Sequence, residues 1–130
     1  MNTRLEHVGV WVVDLDRAAS FYANYFGATV GELYRNERKS FESRFLSFGG
    51  GARLELMTRR DVTRAQSEEK LGFAHVALCV GNEAAVDALA ARLRADGMPV
   101  DSGPRRTGDG YYECVVRDSE GNRVEVTAEK

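Results

Sequence analysis

The feature that most constrains this chain is an internal repeat. The runs Leu5-Glu6-His7-Val8-Gly9-Val10-Trp11-Val12-Val13 and Gly72-Phe73-Ala74-His75-Val76-Ala77-Leu78-Cys79-Val80 each set a histidine inside an apolar, strand-like stretch, and together they hold both histidines of the chain. His7 and His75 lie 68 positions apart, while Gly27 and Gly97, Gly51 and Gly121, Arg53 and Arg123, and Glu55 and Glu125 each lie 70 apart. One two-residue insertion, between the first strand and the end of the first helix, reconciles the two spacings. Self-similarity at a fixed period marks a duplicated unit. An imidazole buried without a partner costs a few kcal/mol, so the pattern also predicts a partner for each histidine, at matched places in two copies of one module.

The pattern within each copy reads β-α-β-β-β. Val8, Val10 and Val12 form a β-branched row suited to packing under a helix, with Leu5, His7, Gly9 and Trp11 on the other face. Asp14 and Asp16 supply a cap and early negative charge for a helix carrying Ala18, Phe21, Tyr22 and Tyr25, which Gly27 ends. Strands follow over 29–34, 41–48 and 53–57, with a charged turn over 36–40 and a Gly49-Gly50-Gly51 hairpin. In the second copy, 73–80 reads as a strand and Asn82 caps a helix with Val86, Leu89, Ala90 and Leu93 at helical spacing. Gly97 ends that helix, and strands follow over 99–101, 111–117 and 123–127. The expected class is α+β: modules over 1–58 and 73–130 and a polar linker over 59–72, with a helical turn near 66–70, in one compact domain overall. Both cysteines, Cys79 and Cys114, fall in strand-like runs and read as buried free thiols of a reducing compartment.

Composition narrows the partners. The chain has 130 residues with 18 basic and 20 acidic side chains, a formal net charge of −2. Such a balance predicts no general attraction to nucleic acid or to an anionic membrane. The pairs Arg59-Arg60 and Arg105-Arg106 are flanked by acids and read as a solvated surface, with contact to an anionic substrate as the sharper alternative. No apolar run nears the roughly 18 residues that span a bilayer, and Met1-Asn2-Thr3-Arg4 leads straight into strand pattern without a signal peptide. The expected location is cytoplasmic.

Period-two alternation sorts the polar residues of the strands by face. Val76, Leu78 and Val80 form the helix-facing row, which leaves His75, Ala77 and Cys79 opposite. Leu54 and Leu56 oppose Glu55, and Val124 and Val126 oppose Glu125. Curved mixed sheets with helices on the convex side would then turn His7, Glu55, His75 and Glu125 into a concave cleft, with room beside Gly9 and Ala77 for a ligand. Two imidazoles and two carboxylates suit a divalent cation, which would also relieve the repulsion between the carboxylates. The plainer alternative keeps each histidine as a locally bonded core residue and each glutamate as a solvated strand position. Four such residues at repeat-equivalent places favour the metal.

These stretches resemble the vicinal oxygen chelate superfamily, which includes glyoxalases, bleomycin-resistance proteins and dioxygenases. The likeness runs through Glu6-His7-Val8, Phe26-Gly27, Arg53-Leu54-Glu55-Leu56, Phe73-Ala74-His75-Val76, Gly108-Asp109-Gly110-Tyr111-Tyr112 and the segment from Asp118 to Glu125. It covers nearly the whole chain and comes nearest to glyoxalase I, the lactoylglutathione lyase. Ser119 stands where the family commonly has proline. The resemblance implies His7, Glu55, His75 and Glu125 as ligands of zinc or nickel, with manganese a further candidate and water or substrate oxygens completing the shell. It also implies a hemithioacetal of a 2-oxoaldehyde as substrate, a metal-stabilised enediolate, and Glu125 or Glu55 as the base that moves a proton between adjacent carbons. A homodimer with metal sites shared between subunits is the implied assembly.

Other members offer other functions. Thiol transferases of the fosfomycin-resistance type would need only His7, His75 and Glu125, which leaves Glu55 without a role. Extradiol dioxygenases need a further histidine that this chain lacks, and methylmalonyl-CoA epimerases usually carry glutamine in place of Glu55. Non-enzymatic antibiotic-binding members lack the ligand set. Candidate substrate contacts are Trp11, which could line the pocket or fill the core, and Tyr111 and Tyr112, which could cover the site or pack a strand edge. Arg44 could meet an anionic group, with a solvated face as its alternative, as for Arg35 and Lys39.

Overall fold

A computed structural model describes residues 1–65 and 69–130. The helical turn expected near 66–70 falls largely on residues outside that set. The chain divides into two compact units, Met1–Ala65 and Gln66–Lys130.

In the first unit β1 (His7–Trp11) leads into α1 (Leu15–Phe26), followed by β2 (Thr29–Val30), β3 (Tyr34–Asn36), β4 (Phe41–Ser47) and β5 (Arg53–Arg59). The sheet order is β1-β5-β4-β2, with β3 also on β4. The first strand thus pairs with the last, in parallel, while β4 and β5 form an antiparallel hairpin. Asp14 caps α1 by accepting the Arg17 N–H at 3.0 Å, and Gly27 closes it in the left-handed region at φ 66°. Leu15, Ala18, Ala19, Phe21 and Tyr22 of the helix are buried, as are Leu46, Leu54 and Leu56 of the sheet. The strand expected over 29–34 is instead two pieces. Gly31 interrupts it, donating its N–H to the Phe45 carbonyl at 2.8 Å. The charged turn that follows is a short 3₁₀ helix, Glu37–Lys39, capped by Asn36.

The second unit repeats the plan. It runs β6 (Val76–Cys79), α2 (Glu83–Ala95), β7 (Val100–Arg106), β8 (Tyr112–Arg117) and β9 (Arg123–Thr127), with sheet order β6-β9-β8-β7. The first strand again pairs in parallel with the last. Val86, Leu89, Ala90 and Leu93 are the buried face of α2, over Cys114, Val116, Val124 and Val126 of the sheet. The two units form an α+β fold with two mixed sheets.

Two strands differ from the sequence reading. β6 begins at Val76, so His75 stands just ahead of the strand, and Phe73 is almost fully exposed. β7 is longer than expected and runs through Gly103-Pro104 with shifts in register. As an edge strand it leaves one side of its backbone unpaired, where proline and irregular pairing are tolerated.

Candidate functional site

The parallel pairing of first and last strands sets each histidine beside a glutamate. In the first unit Gly9 lies in register with Glu55; in the second Ala77 lies in register with Glu125. Each glutamate therefore sits two residues along from a histidine on the neighbouring strand, on the same face. His7 Nε2 comes to 3.6 Å from a Glu55 oxygen, and His75 Nε2 to 3.2 Å from a Glu125 oxygen. In both sheets this is the face opposite the buried leucine and valine rows under the helix. The histidines are not buried as the sequence pattern suggested: their side chains are 40% and 36% exposed. The strands are short and each histidine stands at a strand start, where no second layer within its own unit covers it.

The first pair is braced on its far side. His7 Nδ1 lies 3.2 Å from a Glu6 carboxylate oxygen, and the same carboxylate accepts from Arg53. Arg53, and to a lesser degree His7, hold the Glu6 carboxyl below the usual range. The tautomer with its hydrogen on Nδ1 would donate to Glu6 and leave Nε2 free for a cation between it and Glu55, an orientation device common behind metal-binding imidazoles. Phe45, in register with Glu55, packs edge-on against the His7 ring at 5.2 Å and carries the Arg53 guanidinium at 4.2 Å. The room expected beside Gly9 is taken up by Met57, whose terminal methyl would lie 2.9 Å from a Cβ at that position.

The second pair has a different surround. Glu125 is in register with Val115 of β8, and the turn leading into β9 is built on the buried Asp118. Its carboxylate accepts the N–H groups of Glu120 and Asn122, each at 2.9 Å, and the Asn122 side-chain amide at 3.0 Å. The acid that precedes His7 has no counterpart here, since Ala74 precedes His75.

The candidate substrate contacts separate. Trp11 ends β1 on the His7 face, edge-on to Phe41 at 6.1 Å and under the Arg59 guanidinium at 5.0 Å. Tyr111 is exposed in the loop before β8, with the Lys130 ammonium 4.5 Å from its ring. Arg44 and Tyr112, in contrast, lie on the helix faces. Arg44 is in register with Leu56, donates to the Gly31 carbonyl at 2.9 Å and pairs with Asp16 of α1 at 3.6 Å. Tyr112 donates its hydroxyl to Asp87 of α2 at 2.5 Å, a bond that raises the phenol's pKa. Strand alternation turns both away from the histidine–glutamate pairs. Cys79 is exposed rather than buried, because it shares the His75 face; Cys114 is buried, and desolvation pushes its thiol up to about 11.

Within either unit, among the described residues, no third His, Cys, Asp or Glu joins the pair closely enough to make a group of three. Each unit thus offers one imidazole nitrogen and one carboxylate, a donor combination that zinc and nickel accept.

A duplicated module with its first and last strands paired, and a histidine–carboxylate pair on each, defines a class of small two-module α+β folds. The chain belongs to the glyoxalase/bleomycin resistance protein/dioxygenase superfamily, whose family model matches residues 4–126. Among solved structures it is similar to the trypanothione-dependent glyoxalase I of Leishmania major, at 26% identity and a TM-score of 0.80, covering 98% of this chain and 88% of that one. The lactoylglutathione lyase of Agrobacterium tumefaciens matches at 25% identity and a TM-score of 0.69, covering 98% and 94%. A glyoxalase/bleomycin resistance protein/dioxygenase domain from a Frankia species shares the fold, with 18% identity, a TM-score of 0.85 and full coverage of both chains. No curated protein matches the chain. Among the described residues, no helix is long and apolar enough to cross a membrane.

Proposed function

We propose that the protein is a metal-dependent lyase or isomerase of the glyoxalase I type, acting on the hemithioacetal of a 2-oxoaldehyde. The observation that carries this reading is the recurrence of one histidine–glutamate pair per unit, on the face away from the helix. Two donors alone hold a cation weakly. His7, Glu55, His75 and Glu125 together make the two-nitrogen, two-carboxylate set that zinc or nickel takes, with manganese as a harder alternative. Likeness at 26% and 25% identity to a glyoxalase I and a lactoylglutathione lyase supports the reaction class.

When bound, the cation supplies a Lewis acid for vicinal oxygens of the substrate. The chain's own groups supply the rest. His7 and His75 orient the site through their Nε2 atoms, with Glu6 holding the His7 ring by Nδ1. Glu125 or Glu55, released toward the substrate, takes the proton from one carbon and returns it to its neighbour as general base and then acid. Trp11 and Tyr111 are the candidate contacts for the remainder of the molecule. Each site is shared in a homodimer, the first unit of one chain completing the second unit of the other. A reducing, cytoplasmic setting agrees with two free thiols and with a thiol-adduct substrate.

The test is turnover of the methylglyoxal–glutathione hemithioacetal by protein loaded with zinc or with nickel. Turnover that falls at least about 100-fold in Glu125→Gln or Glu55→Gln fits the general-base role. Full metal loading with no turnover overturns the lyase reading and leaves the thiol-transferase and antibiotic-binding alternatives to be assayed.

A further inference from the structure

The arginine pair at the end of β5 is not used by the proposed reaction. Arg59 and Arg60, with Asp61 after them and Lys39 and Ser40 at the end of the 3₁₀ helix, line an open cleft of about 510 Å³. Asp61 holds the Arg59 guanidinium at two points, 2.5 and 3.3 Å. Among the described residues no hydrogen bond or ion pair reaches the Lys39 ammonium or the Arg60 guanidinium. Lys39, Arg59 and Arg60 against Asp61 alone leave the cleft with an excess of two positive charges.

An aromatic row crosses the sheet beside these cations. Alternation along β5 sets Arg59 on the face of Glu55, with its register partner Phe41 on the same side. The Arg59 guanidinium lies 5.0 Å from the centre of the Trp11 ring, and Phe41 stands edge-on to Trp11 and to Tyr34, each at 6.1 Å. Trp11 and Tyr34 are 40% and 56% exposed, so both keep ring surface open to a ligand. Glu55 lies back along the same strand, roughly 13 Å away at the usual rise per residue. A phosphate monoester carries a charge of about −1.5 to −2 near pH 7, which the cleft's excess balances; a carboxylate or a sulfate ester carries half of that. The guanidinium fork of Arg60 and the ammonium of Lys39 are the donors that phosphate oxygens take, and Ser40 adds a hydroxyl.

We propose that this cleft binds the phosphate monoester end of a small molecule whose planar apolar body packs on Trp11 and Tyr34. Lys39 and Arg60 meet the phosphate oxygens, while Arg59, held by Asp61, closes the cleft against the Trp11 ring. That such a molecule is also the substrate rests on the reaction proposed above; its binding in the cleft does not.

Phenyl phosphate and phenyl sulfate test this, since they share a shape and differ by one charge. Both are titrated at about pH 7.5, where the phosphate ester is mostly a dianion, into chelator-stripped and zinc-loaded protein. Trp11 is the single tryptophan, so its fluorescence reports occupancy of this face. The wild type should bind phenyl phosphate about tenfold more tightly than phenyl sulfate, as expected for added charge-assisted hydrogen bonds. Inorganic phosphate, which lacks the ring, should bind roughly fivefold more weakly than phenyl phosphate. Lys39→Gln/Arg60→Gln should lose the preference for the phosphate ester. Arg38→Gln, which removes a neighbouring cation outside the cleft, should keep it; melting temperatures establish that each variant is folded. Equal affinity for the two esters in the wild type, a preference that survives Lys39→Gln/Arg60→Gln, or one that Arg38→Gln abolishes equally overturns the proposal. Inorganic phosphate binding as tightly as phenyl phosphate overturns the part given to Trp11 and Tyr34. Binding seen only with zinc present overturns the cleft as the site, by placing the phosphate on the metal. Failure of the protein to take up zinc counts against the metal reading alone, since the zinc-free titrations still decide what the cleft binds.

Discussion

His7 stands between two carboxylates. Glu6 meets Nδ1 at 3.2 Å and is anchored by Arg53, while Glu55 faces Nε2 at 3.6 Å. Replacing Glu6 by glutamine should weaken zinc binding roughly tenfold, measured by competition with a chromophoric chelator, because second partners of metal-bound imidazoles contribute at that level. Unchanged affinity would make Glu6 merely a partner of Arg53. Glu113 leads to a pH prediction. Its folded-state pKa is raised above the ordinary 4.5 by burial first and Glu125 second. The folded chain therefore holds a proton that the unfolded chain releases. This contribution is fully present below the unfolded value and is lost as pH rises through the folded one. Denaturation midpoints taken from about pH 4 to about pH 7 should show wild type losing ground to E113Q, which has no such proton to lose. Neither Glu6 nor Glu113 came out of the repeat. Their counterparts are Ala74 and Ser43, so a search for matched positions passes over them, whereas Glu55 and Glu125 match by type and stand out.

Helices and turns were the legible elements, because their signals are local. Asp14, Gly27, Asn82 and Gly97 mark helix ends by chemistry that acts within one turn of chain. The valine and leucine rows gave the buried faces, and with them the side on which His7, Glu55, His75 and Glu125 stand. Strand ends were less legible, since a strand stops where its partner does: β6 starts only at Val76, paired with Val124. Edge strand β7 carries Gly103 and Pro104, residues that read as a break in any central strand. Two of the glycines with positive φ, Gly27 and Gly103, separate backbone strain from crowding. A Cβ on Gly27 meets nothing within 4 Å, so Gly27→Ala should cost about 1 kcal/mol for its φ of 66° alone. A Cβ on Gly103 would come within 2.7 Å of the Glu113 carbonyl oxygen, so Gly103→Ala should lower the denaturation midpoint by clearly more. Equal losses would show that β7 shifts freely and does not hold β8 in register.

At the scale of the molecule, duplication explains why the same pairing recurs: first strand against last, small residue beside glutamate, histidine two positions before. It does not tell which copies complete one another. A mixture of two double variants, His7→Ala/Glu55→Gln and His75→Ala/Glu125→Gln, decides that. If sites are shared between subunits, the mixed dimer regenerates one intact site and recovers zinc binding that neither parent has. If each chain builds its own site, mixing restores none. Beneath both arrangements lies the claim that the two pairs hold one cation together. Calorimetric titration of zinc into chelator-stripped protein tests it most directly. One zinc per chain in the wild type, with uptake lost in either His7→Ala or His75→Ala, is the predicted result; no uptake in the wild type, or wild-type affinity in either single variant, would contradict it.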